Sequence, residues 1–173
     1  MRAILGFNFL ALLVAGTGCG YHVGGRGDML PKTIKTVAIP AFGNVTTRYK
    51  LAETLPRDIA REFVTRTRYR VVADPREADA VLTGALVNFA AYPTIFDPQS
   101  GRSTGVQTVV VLQLTLTERA SGAVLFARPS QEFRERYEIS VDPKAYFDES
   151  TAALERLSRD VARSVVSAVL EKF

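Results

Sequence analysis

The sequence predicts an α/β fold of the α+β kind: a two-layer sandwich with two helices packed on one face of a mixed, mostly antiparallel sheet of about four strands. Three observations carry that expectation. Leu51, Leu55, Ile59 and Phe63 recur at four-residue spacing, the stripe of a helix with one buried side. A second stripe, Leu154, Leu157, Val161, Val165 and Ala168, closes the chain. Between them, residues 106–117 alternate apolar and polar, the mark of a half-buried strand. Two apolar stripes and one alternating sheet bury one another as two layers.

The chain opens as an export signal. Met1-Arg2 gives a positive start, Ala3 to Val14 is almost wholly apolar, and Ala15-Gly16-Thr17-Gly18 are small. That apolar run is shorter than the roughly 20 residues a membrane span needs. It ends on Cys19, the only cysteine, followed by Gly20-Tyr21 and the only histidine, His22. A lone cysteine closes no intrachain disulfide. A signal that ends on cysteine resembles that of a bacterial lipoprotein, whose thiol takes a diacylglyceryl group and whose cut falls just before it. Gly16 departs from that pattern, which usually has an aliphatic residue there. On this reading residues 1–18 are a lipoprotein signal peptide, 19–32 a flexible acylated leader and 33–173 a single globular domain. Removing the first 18 leaves 155 of 173 residues, enough for a sizeable core. Losing Arg2 leaves 21 basic against 18 acidic residues, a mild surplus that suits an anionic partner.

The elements follow in order. Thr33 to Ile39 reads as a strand near the sheet centre, ended by Pro40, with Phe42-Gly43-Asn44 as a turn. Thr46 or Thr47 is placed to cap a helix that runs to about Arg66, bent locally at Pro56. Tyr69 to Val72 is a short strand and Asp74-Pro75 a turn. Ala80 to Phe89 is the next strand, with Val81, Val87 and Phe89 on one side and Leu82 and Leu86 on the other. Tyr92 to Gly105, with Pro93, Pro98, Gly101 and Gly105, reads as a long loop or flared hairpin tip bearing Arg102. The alternating strand after it puts Val106, Val110, Leu112, Leu114 and Leu116 on one face. Ala123 to Ala127 returns from a turn at Arg119–Gly122. Beyond Pro129, Phe133, Tyr137 and Ile139 alternate with charged residues, so the proline requires an edge or a bulge. Ser150 or a nearby acid opens the last helix. The first β-α-β passage should be a right-handed parallel crossover and the later strands antiparallel.

Five segments then resemble, in order, the LptE family of lipopolysaccharide-assembly lipoproteins of Gram-negative outer membranes. They are Cys19-Gly20-Tyr21-His22, residues 35–44, residues 57–63 with 69–72, residues 78–84, and the closing helix from Ala152. The resemblance implies a non-enzymatic protein that plugs a large outer-membrane β-barrel lipopolysaccharide-assembly protein (LptD-like), helps that barrel assemble, and contacts lipopolysaccharide on its way outward. It implies residence in the cell outer membrane, lipid-anchored on the periplasmic side. Gly20 after the cysteine, rather than Asp, fits sorting to that membrane.

Cys19 is therefore the expected lipidation site. Guanidinium groups grip phosphate oxygens in pairs, so the candidates for lipopolysaccharide contact are Arg102, Arg119, Arg128, Arg134 and Arg136, near strand ends or on the exposed strand face. No catalytic residue, cofactor or metal is expected. His22 has no neighbouring acid, and one His with an acylated Cys builds neither a zinc site nor a thiol–imidazole pair. Glu132 and Glu135 lie on a wet strand, which seldom perturbs a carboxylate. Gly24-Gly25-Arg26-Gly27 lacks the preceding strand and the Gly-Lys-Ser/Thr of a phosphate loop. The basic run Arg66-Thr67-Arg68-Tyr69-Arg70 reads as a helix end rather than a nucleic-acid site, since an exported chain meets little nucleic acid. The alternative is a generic envelope lipoprotein serving as an interaction module for another outer-membrane assembly.

Overall fold

The computed structural model describes residues 30–99, 101–138 and 143–171, with residues 143–150 described as backbone alone. Cys19, the leader as far as residue 29, and Ile139 lie outside the described residues. The elements are β1 (Thr36–Ala38), β2 (Gly43–Asn44), α1 (Tyr49–Arg66), β3 (Arg70–Val72), β4 (Ala80–Phe96), β5 (Ser103–Glu118), β6 (Val124–Glu138) and α2 (Pro143–Glu171). Both helices cover one face of an open mixed sheet, as the two apolar stripes require. The sheet has six strands rather than about four, in the order β3-β1-β4-β5-β6, with β2 also paired to β4. Two of the additions are short: β3 holds three residues and β2 two.

The β1-α1-β3 passage is parallel, and β1 is parallel to β4 as well. Pro40 interrupts pairing after β1, but the backbone rejoins β4 at once. Gly43 pairs with Ala85 and Asn44 with Leu86, where the sequence suggests only a turn. β4, β5 and β6 form an antiparallel meander. Ladder pairing runs out to Phe96 and Ser103, so Tyr92 to Phe96 is strand rather than loop. The turn is confined to the residues between them, where Gly101 takes a positive φ of 66°.

A register shift between Leu86 and Asn88 changes which side chains of β4 face the helices. Before it Ala80, Leu82 and Leu86 are buried; after it Phe89, opposite the buried Val110, packs on the core. Phe89 is thus on the side of Leu86, not of Val81 as straight alternation suggests. β5 keeps its alternation, and Val106, Val110, Leu112, Leu114 and Leu116 are all buried. β6 is the far edge strand. Its register shifts between the partners of Leu112 and Leu114, which places Pro129 in a bulge on an edge.

Helix α1 begins later than its threonines suggest. Arg48 is the N-cap residue and makes no side-chain cap, while Thr46 is held by Asn44 Oδ1, and its own Oγ1 accepts from the Arg48 amide at 3.1 Å. Pro56 lies inside α1 and is buried. Helix α2 is helical from Pro143, seven residues ahead of Ser150. Leu157, Val161, Val165, Val166, Val169 and Leu170 are buried beneath it.

The helices run parallel, side by side. Asp58 Oδ2 accepts from Ser158 Oγ at 2.6 Å, and Arg66 Nη1 donates to Ser167 Oγ at 3.0 Å and to the Arg163 carbonyl at 3.3 Å. Asp58 is therefore tied into the helix–helix seam, its side chain only 11 % exposed.

Candidate functional site

The sandwich has two unlike ends and one uncovered face. Leu30, the first described residue, donates its amide to Tyr69 Oη at 3.3 Å and lies beside β1 and β3. The turn joining β4 to β5 marks the opposite end. At about 3.3 Å per residue the 17 residues of β4 reach about 55 Å, whereas the 18 residues of α1 cover about 27 Å. The far end of the hairpin therefore extends well past α1.

Because the core residues of β4 and β5 face the helices, their alternate neighbours face away. On that uncovered face Tyr92, Gln107 and Arg136 form one cross-strand row. Ala90, Val109 and Arg134 form the next, and Asn88, Val111 and Glu132 the third. The face combines a weakly apolar middle with a charged edge supplied by β6. Glu132 bonds Arg134 on this side. Glu135 points the other way, 3.5 Å from Arg156 of α2, so the two glutamates do not share a site.

The five candidate arginines are not brought together. Arg134 and Arg136 share the uncovered face and are exposed. Arg102 sits in the turn at the far end, where its carbonyl accepts from the Asp97 amide at 2.8 Å. Arg128 lies on the helix side of β6, over the Phe126 ring at 5.0 Å. Arg119 is at the other end of the domain and holds the fold together. Its Nε donates to the Ala78 carbonyl at 2.6 Å and its amide to the Asp79 carbonyl at 2.8 Å.

Asp79 completes that clasp. Its Oδ2 accepts from the Lys35 amide at 2.8 Å and the Thr36 amide at 2.9 Å. The Lys35 bond is the largest influence holding its carboxyl below the ordinary value; partial burial opposes it, while Thr36 and the Arg119 charge assist. The clasp ties the starts of β1 and β4 to the end of β5.

The sequence reading did not single out Tyr92, Ile95 and Phe96. All three are exposed at the far end of the hairpin, Tyr92 and Phe96 by 57 % each. Ile95 lies over Gly105, where a Cβ would meet its Cγ1 at 3.0 Å. Two prolines disguise this stretch as loop; its signal is the run of large apolar residues between them. Among the described residues no group of three or more His, Cys, Asp or Glu could hold a metal ion. No described helix is long and apolar enough to cross a membrane.

The segments at residues 35–44, 69–72 and 78–84 meet in space. β1 lies between β3 and β4, the Asp79 clasp joins two of them, and the Phe42 ring is seated over Gly84. The sequence model of the lipopolysaccharide-assembly family LptE matches residues 34–169, from the first turn of the core to the end of α2. This chain belongs to the LptE family.

The LptE match spans both layers of the sandwich and all five candidate arginines. Solved structures agree on the fold. Lipoprotein B of Nitrosomonas europaea is 17 % identical with a TM-score of 0.56, over 88 % of this chain and 96 % of that one. A protein of Xanthomonas campestris reaches a TM-score of 0.56 at 12 % identity, over 81 % and 85 %. PelC of Paraburkholderia phytofirmans, solved as a dodecamer, reaches 0.53 at 18 % identity, over 80 % and 90 %. A search of the curated proteins returned no match.

Proposed function

We propose that this LptE-family chain is an outer-membrane lipoprotein, anchored through an acylated Cys19 on the periplasmic side. In this reading residues 1–18 are the signal, 19–32 the leader and 33–173 the body. The body lodges inside a large β-barrel lipopolysaccharide-assembly protein, assists its assembly and contacts lipopolysaccharide in transit. The observation that carries the reading is the family match over residues 34–169.

The geometry supports it. The apolar band of an outer-membrane barrel is about 25 Å tall and its interior is polar. A sheet about 55 Å long exceeds that height, and its uncovered face offers Gln107, Gln113, Arg134 and Arg136 to a wet wall. Arg134 and Arg136 are adjacent on that face and suit the phosphates of lipid A. Arg102, at the end away from the anchor, is the third member of this group. Arg119 belongs to the clasp, and Arg128 covers Phe126.

Photo-crosslinking residues placed in cells at Gln107 and Val109 should capture a single large barrel protein, while one at the outward-facing Arg159 of α2 should capture less. Equal capture from both positions would contradict lodging by the uncovered face. A second reading is an interaction module for another outer-membrane assembly; the identity of the captured partner decides between them.

A further inference from the structure

The basic run Arg66-Thr67-Arg68-Tyr69-Arg70 has a location that its sequence does not reveal. Arg66 is consumed in the helix seam by Glu62, Ser167 and the Arg163 carbonyl. Arg68 and Tyr69 lie with Lys32 and Lys35 around a hollow of about 430 Å³ whose apolar floor is Leu30, Pro31 and Ile34. Lys32, Lys35, Arg68 and the adjoining Arg70 are all exposed. Among the described residues no acidic side chain lines the hollow. Glu118, the nearby carboxylate bonded to Thr33, also accepts from the Ser121 hydroxyl.

The hollow lies at the end from which the chain leads back to Cys19. Leu30 lies eleven positions after Cys19, and a chain of eleven steps reaches at most about 40 Å. An acyl anchor at Cys19 therefore holds this end, and not the far hairpin, near the lipid headgroups. Cations attract an anionic bilayer only within about a Debye length, roughly 8 Å at physiological salt. A surface placed for that purpose belongs beside the tether, carries several cations and keeps some apolar contact. This one meets each condition.

We infer that Lys32, Lys35 and Arg68 form a docking surface for anionic phospholipid headgroups, which seats the anchored end on the membrane and sets the direction in which the hairpin projects. The inference rests on the proposed acylation of Cys19 for its orientation, but the surface itself is tested without an acyl chain.

Every described strand, helix and core residue lies within residues 30–171, so the chain starting at residue 19 and carrying Cys19→Ala keeps the whole described body. Its sedimentation with phosphatidylcholine vesicles should be weak, and should rise when a third of the lipid is phosphatidylglycerol. Each cation near such a surface contributes about 1 kcal/mol, so each of Lys32→Ala, Lys35→Ala and Arg68→Ala should weaken binding about five-fold, with the loss shrinking at high salt. The charge-preserving variant Lys32→Arg/Lys35→Arg/Arg68→Lys should bind as the parent does. Removing the same charge from the helix layer, Arg57→Ala/Arg61→Ala/Arg159→Ala, should leave binding unchanged.

Equal binding to both vesicle types would overturn the inference, as would an equal loss from the helix-layer control. Binding of these cations to lipopolysaccharide micelles but not to phosphatidylglycerol would overturn it too. Mass spectrometry of the exported protein reports separately on Cys19. An acylated terminus with charge-independent vesicle binding would sink this inference and leave the proposed function standing.

Discussion

The ring of Phe42 occupies the space in which a side chain on Gly84 would lie: a Cβ built on Gly84 meets Phe42 Cε2 and Cζ at 2.6 Å. Gly84 is on β4, and Phe42 bridges the gap between β1 and β2, which both pair with β4. The glycine lets a buried aromatic ring close over the strand where Pro40 has interrupted pairing.

Gly84→Ala should therefore destabilise the domain, since overpacking a filled site costs about 1–3 kcal/mol, or roughly 3–10 °C in Tm for a domain of this size. Calorimetry of the single variant checks it. Adding Phe42→Leu should recover part of the loss, because the shorter side chain vacates the contact; a double variant worse than the sum of the singles would contradict the packing.

Acid should loosen the clasp at Asp79. Its carboxyl is held below the ordinary value, chiefly by the Lys35 amide, so the folded state binds fewer protons there than the unfolded chain. The stabilisation is complete above the unfolded value of about 3.9 and disappears as pH falls through the lower folded value. Asp74, lowered by Arg76, adds a second contribution of the same sign. Urea midpoints of the parent should fall with acidification below about pH 4, and Asp79→Asn should show a shallower fall in that range. An unchanged slope would remove the clasp from the account.

Ser158→Ala should leave Asp58 without its hydroxyl donor in the helix seam. A hydrogen bond to a charged group contributes about 1.5–3 kcal/mol, tempered here by Arg61, 3.8 Å from the same carboxylate. A double-mutant cycle with Asp58→Ala should return a coupling of about 1 kcal/mol or more.

The candidate arginines should separate into two classes. Arg134→Ala/Arg136→Ala should weaken lipopolysaccharide binding about ten-fold or more in a salt-dependent manner, with little change in Tm. Arg119→Ala should do the reverse, lowering Tm by breaking the bond to the Ala78 carbonyl while leaving binding nearly intact. Titration and melting of the two purified variants make the comparison.

The layers of the fold were legible because burial leaves a period in the sequence. Leu51 to Phe63, Val106 to Leu116 and Leu157 to Leu170 each carry one, and the structure buries those faces. What escaped has no period. The two-residue β2 is held by backbone pairing alone, and its side chains give no alternation. The shift after Leu86 moves Phe89 to the core face, which straight alternation cannot show. Pro93 and Pro98 made the end of β4 look like loop, although Phe96 still pairs with Ser103. Exposure and strand position are what the sequence offers for the candidate arginines. Those two features hold for Arg134 and Arg136, but a side chain such as Arg119, bonded to a carbonyl 41 residues away, is invisible until the chain is folded.

The central claim is that this body does its work lodged in a larger barrel. Purifying the full-length protein from detergent-solubilised cell envelopes tests it most directly. The account predicts recovery of one large β-barrel protein in roughly equal amount, stable to high salt. Recovery of the chain alone, with the barrel left behind in the same extract, would contradict it.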